Sequence, residues 1–298
     1  MPFQSYKHIN FRNDSLALID RVNDIVSEYV VQGYELTLRQ VYYQLVARGF
    51  IPNNERSYKN LGNLINDGRL AGLIDWHSIV DRTRYVRRNS HWSSPESVIY
   101  SAAYSYMLDR WQNQPNYVEV WVEKDALVGI VGQICNKLDV PYFSCRGYTS
   151  QSEMWSAAQR FIGQNHRESR TIIHLGDHDP SGIDMTRDIQ ERLDMFGADV
   201  YVKRVALTMD QIDEFDPPPN PTKITDARSH GYIQMFGHEC WELDALEPKV
   251  ITRIITEEVE ELVDPALFSA IEKREREDKD NINMICENYD DVVSYLKD

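Results

Sequence analysis

The chain has 298 residues, 42% of them hydrophobic, and a formal net charge of −15. That length suggests two domains with enough apolar material for ordinary cores. With no run of eighteen apolar residues and no apolar signal core in the opening Met-Pro-Phe-Gln-Ser-Tyr-Lys-His, neither a membrane span nor secretion is expected. Residues 13–34 alternate apolar and charged positions at a helical period and predict a first helix. Thr37 is placed to cap a second helix over 36–48, whose apolar positions Leu38, Val41, Tyr42, Leu45 and Val46 form one stripe. Arg39 and Tyr43 are i and i+4, on one face and off that stripe, so Tyr42 is expected in the core and the Tyr43 phenol at the surface. Ile51-Pro52-Asn53-Asn54 is a turn, and residues 56–72 form a third helix closed by Gly72. Residues 88–96 read as a linker, dividing the chain into units 1–95 and 96–298.

A helix follows over about 96–112. Beyond it, strands are predicted at 117–122, 140–144, 170–175 and 199–206, with helices at 125–138, 150–164 and 182–196. Such alternation implies a parallel sheet with its core at about 116–210. Phe215-Asp-Pro-Pro-Pro-Asn-Pro221 is a stiff loop, with Lys223, Asp226 and Arg228 just beyond it. Residues 247–263 and 266–298 form a helical C-terminal extension, and Glu272 to Asp280 is a solvated, mixed-charge face. The four cysteines lack metal-ligand spacing and read as reduced thiols of a cytoplasmic protein.

Charge is unevenly spread. Residues 36–95 hold nine Lys or Arg against four acids, a net of +5, whereas residues 247–298 hold seven against fifteen, a net of −8. Phosphate contact needs Lys and Arg, so any DNA contact belongs to the first third. Its best candidates are Arg82, Arg84, Arg87 and Arg88, with Arg146 further along.

Two apolar, β-branched runs end in carboxylates. Glu-Val-Trp-Val-Glu-Lys-Asp, residues 119–125, delivers Glu123 with Lys124 beside it. Thr-Ile-Ile-His-Leu-Gly-Asp-His-Asp-Pro-Ser-Gly, residues 171–182, delivers Asp177 and Asp179, two apart and so on one side of an extended segment. Carboxylates leaving the carboxyl ends of parallel strands converge where open α/β sheets hold ligands. Three hard oxygen donors suit one or two Mg²⁺ ions and phosphodiester chemistry. His174 and His178 flank this loop, but without a Cys pair zinc is not the expected metal.

The pairing of Val-Glu-Lys-Asp with Asp-x-Asp resembles the Toprim fold of topoisomerases, bacterial primases and overcoming-lysogenization-type nucleases. In that family a Glu after the first strand and an Asp-x-Asp after a later one bind the metal. Leu36-Thr-Leu-Arg-Gln-Val-Tyr-Tyr43 resembles the catalytic-tyrosine motif, on a winged-helix domain, of the topoisomerase VI A subunit and the meiotic double-strand-break protein. The order, tyrosine domain before Toprim domain, also matches. Arg146-Gly147-Tyr148 falls where that family has a Lys-Gly-Tyr turn, and Trp241-Glu242-Leu243-Asp244-Ala245-Leu246 resembles its late Glu-x-x-Ala-Leu segment. The resemblance spans roughly residues 30–260.

It implies a Mg²⁺-dependent, DNA-cleaving transesterase. Tyr43 would be the nucleophile, helped by Arg39 and with Lys124 nearby, and Glu123, Asp177 and Asp179 would hold the metal. In that family the tyrosine keeps the 5′ phosphate and meets the metal site of a second subunit, so a homodimer on double-stranded DNA is expected. The first domain is shorter than the family pattern and no ATPase module accompanies it, so strand passage would need a partner subunit. Two alternatives stay open: a Toprim-type nuclease in which metal-activated water replaces the tyrosine, and a non-catalytic DNA- or partner-binding protein.

Overall fold

Three helices build the first core. In the computed structural model, which describes residues 3–80 and 89–297, α1 spans Asn13–Val31, α2 Leu38–Ala47 and α3 Glu55–Leu70. Ile19, Val22, Ile25, Val26 and Tyr29 recur at helical spacing on α1 and face the core. The predicted Thr37 cap is a full capping box with Gln40. Gly72 follows α3 at φ +75°, where a side chain would press within 2.9 Å of the Phe3 carbonyl oxygen. A single bridge, Leu36 to Ile79, is the β-pairing seen among the described residues of this unit. The basic segment with Arg82, Arg84, Arg87 and Arg88 lies outside the described residues.

The second unit is α/β, with a four-stranded, wholly parallel sheet in the order β2-β1-β3-β4. The strands are β1 Asn116–Val122, β2 Tyr142–Ser144, β3 Ser169–Leu175 and β4 Tyr201–Ala206. Helix α4, Pro95–Ser105, precedes them; α5 Val128–Leu138, α6 Gln151–Ile162 and α7 Pro180–Met195 connect them. The central strands β1 and β3 are buried on both sides and mostly apolar, with Glu119, Thr171 and His174 as buried polar residues. One face packs on α5 and α10, Pro248–Glu260, and the other on α6 and α7. Beyond β4 lie α8 Met209–Phe215, the pair β5 Asn220–Pro221 and β6 Glu239–Cys240, and α9 Ser229–Phe236. The C-terminal helix expected over 266–298 is two helices, α11 Pro265–Glu287 and α12 Tyr289–Tyr295, divided at Asn288. No helix among the described residues is long and apolar enough to cross a membrane.

One buried charge secures the sheet. Glu119 on β1 is 2% exposed and accepts from Arg160 Nε and Nη2 at 3.0 Å, Tyr117 Oη at 2.9 Å and Trp121 Nε1 at 2.9 Å. Glu119→Ala strips partners from a buried indole and a half-buried phenol. It is expected to cost about 3 kcal/mol in urea denaturation.

Candidate functional site

Strand order places the site. β1 leads to β2 on one side and β3 on the other, so the crevice opens between the carboxyl ends of β1 and β3. Glu123 and Lys124 leave β1 there, and Asp177 leaves β3. The loop is held tightly. The Glu123 carboxylate accepts from the Asp177 N–H at 2.9 Å. A side chain at Gly176 would approach that carboxylate to 3.0 Å, and one at Gly182 would collide with the Asp177 carbonyl. Asp179 caps α7, accepting from the Gly182 N–H at 2.7 Å. From β4, Arg204 donates to the carbonyls of Gly176 at 2.9 Å, Asp177 at 2.6 Å and Gly182 at 2.9 Å.

A third segment completes the crevice. His178 and Trp241 exchange backbone hydrogen bonds at 2.8 and 2.9 Å, and the Leu243 N–H donates to Asp177 Oδ1 at 2.8 Å. This register lays Glu242 and Asp244 against Asp177. Among the described residues, these three carboxylates form the one group of potential ligand atoms within 4.8 Å of one another. The set expected to hold the metal was Glu123, Asp177 and Asp179. The close group shares Asp177 with that set and brings in Glu242 and Asp244, with Glu123 and Asp179 beside it. Glu242 and Asp244 carry the same i, i+2 carboxylate pattern that marks Asp177 and Asp179, just after a short strand. That signal was present in the sequence, though it marks no ligand by itself.

Lys124 Nζ sits within this group, 2.8 Å from Asp177 Oδ2, 3.1 Å from Asp244 Oδ1 and paired with Glu242 Oε2. The three carboxylates outweigh the penalty of burial and push the lysine pKa up, so its ammonium stays charged. Burial, then the surrounding acids, push Asp177 well above the usual carboxylate range against the pull of Lys124. Burial likewise raises Glu123, offset by the Asp177 N–H and Lys124. Five acids (Glu123, Asp177, Asp179, Glu242, Asp244) face three cations (Arg39, Lys124, Arg204). The all-oxygen donor set fits a hard divalent cation.

The first unit supplies Arg39. Its Nη2 meets Glu242 at 2.6 Å and its Nε meets Asp244 Oδ2 at 2.7 Å. The guanidinium also lies 5.7 Å from the centre of the Tyr43 ring, so the expected i, i+4 pairing holds. Exposure of Tyr43 does not: it is 4% exposed, like Tyr42. The reason is tertiary. α2 packs on its own core with one side and on the 243–245 turn with another, where Ala245 joins that core. Burial, followed by Glu242 and Asp244, pushes the Tyr43 phenol up to about 12, against Arg39 and Lys124. Its hydroxyl makes no hydrogen bond among the described residues. The Tyr42 hydroxyl donates to Asn53 Oδ1 at 2.9 Å. Arg146 stands apart, largely exposed at φ +52° and paired with Asp125 at 3.1 Å.

The histidines are packing residues. His178 Nδ1 shares a 2.8 Å hydrogen bond with the Tyr232 hydroxyl, and His174 Nδ1 one of 2.9 Å with Thr186 Oγ1. Burial, helped by Arg204, pushes His174 from 6.5 to about 3. Unfolded chains take up that proton below about 6.5, whereas the folded protein resists until about 3. His174 therefore costs no stability above pH 6.5 and a growing amount as pH falls through that window. Comparing urea midpoints at pH 7 and pH 4.5 should show a smaller acid loss in His174→Gln than in the parent.

No protein-family model, curated protein or solved structure matches the chain.

Proposed function

We propose that the chain is a divalent-metal-dependent DNA-cleaving transesterase, a winged-helix-like tyrosine domain joined to a Toprim-type domain. The observation that carries this reading is the meeting of Arg39 and Tyr43, from the first unit, with the acidic crevice of the second. Asp177, Glu242 and Asp244 would hold Mg²⁺, with Glu123 and Asp179 beside them. A metal bound there supplies positive charge to a phosphodiester and favours phenolate in place of phenol. Arg39 holds two of the carboxylates and faces the Tyr43 ring, so it stabilises the same phenolate. Attack of the Tyr43 oxygen forms a bond to phosphorus and breaks the bond to the 3′ oxygen, which takes up a proton. The product is a 5′ phosphotyrosine and a free 3′ hydroxyl. Double-stranded DNA would approach along the basic first third, and a homodimer would cut both strands. In this chain Tyr43 lies beside its own acidic crevice, so the second subunit is proposed for the second strand and not to complete the site. An ATPase partner would be needed only for strand passage.

A second reading is favoured by the burial of Tyr43: a hydrolytic nuclease in which metal-bound water attacks and Tyr43 only packs. Incubating duplex DNA with Mn²⁺ and analysing the ends separates the two. Transesterification is expected to give cleavage abolished by chelator, free 3′ hydroxyls, and 5′ ends blocked to exonuclease until protease treatment. Free 5′ phosphates without protease would instead establish hydrolysis.

A further inference from the structure

We infer that Lys124 is a built-in counter-ion of the acidic crevice, seated where the divalent cation binds, and that cation entry must expel its ammonium. This rests on the metal reading above and assigns the lysine a role within it. Asp177, Glu242 and Asp244 offer six oxygens. Asp177 Oδ1 is taken by the Leu243 N–H and Asp177 Oδ2 by Lys124. Asp244 Oδ1 is taken by Lys124, Asp244 Oδ2 is buried 2.7 Å from Arg39 Nε in an ion pair without hydrogen-bond geometry, and Glu242 Oε2 serves both cations. Among the described residues Glu242 Oε1, Asp177 Oδ2 and Asp244 Oδ2 accept no hydrogen bond, but the last two lie within 2.8 Å of a protein cation. Oxygens held against protein cations do not make the site that the three carboxylates can form, because Mg²⁺ and Mn²⁺ ligand sets draw on several carboxylate or water oxygens at close range.

Of the two cations, Lys124 is the one that blocks the centre. Its ammonium donates hydrogen bonds to Glu242 Oε2 and Asp244 Oδ1 and lies 2.8 Å from Asp177 Oδ2, so Nζ sits amid the ligand atoms as a metal would. Arg39 grips Glu242 and Asp244 with a planar fork held against Tyr43, and so braces them from one side. Lys124 hangs on a flexible four-carbon stem at the end of β1 and can swing away without moving the sheet. Once expelled it remains beside the crevice as a positive charge available to a phosphate. The device keeps three close carboxylates compensated in the metal-free protein.

The test uses the parent protein and one variant. Titration calorimetry with Mn²⁺ first establishes binding. The parent is then treated briefly with N-hydroxysuccinimidyl acetate, with and without saturating Mn²⁺, and Lys124 acetylation is read by mass spectrometry against the exposed Lys59. Without metal, Lys124 should be protected, because its side chain is only 17% exposed and is held among three carboxylates; with metal, its modification should rise at least tenfold. Lys124→Met removes the competitor while keeping an unbranched chain, so Mn²⁺ affinity should rise at least tenfold. If that variant folds only with metal, the acetylation experiment on the parent decides alone. Mn²⁺ binding with Lys124 still protected, or with affinity unchanged or weakened in Lys124→Met, would overturn the inference and leave the metal reading standing. Absence of Mn²⁺ binding in both proteins would remove the metal reading itself.

Discussion

Tyr43→Phe is expected to give a folded protein that no longer becomes joined to DNA. The ring stays in the core, and the lost hydroxyl has no hydrogen-bond partner among the described residues. The change in stability should therefore be within about 1 kcal/mol. Loss of a nucleophile should lower cleavage by about 10³-fold or more. Tyr42→Phe is the matched control. It breaks hydrogen bonds to Asn53 and the Asn54 carbonyl, at 2.9 and 3.2 Å, and should cost about 1 kcal/mol while cleavage continues. Thermal denaturation and end-labelled DNA on denaturing gels check both. Full cleavage by Tyr43→Phe would favour the hydrolytic reading.

Asp177→Asn is expected to have the next largest effect. The substitution keeps shape and the Leu243 hydrogen bond but removes a charge at the heart of the candidate ligand set. Replacing partners that merely orient metal ligands costs ten- to a hundredfold in affinity, so removing a ligand charge should weaken Mn²⁺ binding by at least about tenfold and lower cleavage by orders of magnitude. Asp179→Asn separates the two possible carboxylate sets. Asn caps a helix as well as Asp, so α7 should survive and metal affinity should change little. An equal loss in Asp179→Asn would move the ion toward Glu123 and Asp179.

Much of the fold was legible in the chain. The strand runs Asn116–Val122 and Ser169–Leu175 are rich in β-branched and apolar residues and closed by Gly or charge, as strands buried on both faces usually are. Thr37 and Gly72 marked their helix ends because each satisfies a local backbone need. The placement of Glu123, Lys124 and Asp177 at one sheet edge was legible because strand ends in a parallel sheet share that edge. Long-range pairings escaped. The exposure expected of Tyr43 rested on the stripe of α2 alone, which cannot report that residues 243–245 cover a second face. Glu242 and Asp244 become candidate ligands through the His178–Trp241 pairing, 63 residues apart in sequence. Arg204 lies inside β4, and nothing local says that its guanidinium reaches the carbonyls of the loop after the neighbouring β3. Helix α8 was missed beside the proline-rich loop, although Thr208 and Gln211 form a capping box there.

The most direct measurement is peptide mapping of the DNA-linked protein. After reaction with duplex DNA and Mn²⁺, denaturation and exhaustive nuclease digestion, trypsin should release the peptide Gln40–Arg48 carrying one 5′-phosphonucleotide on Tyr43. DNA cleavage with no nucleotide on that peptide, or with the adduct on another residue, would contradict the assignment of Tyr43.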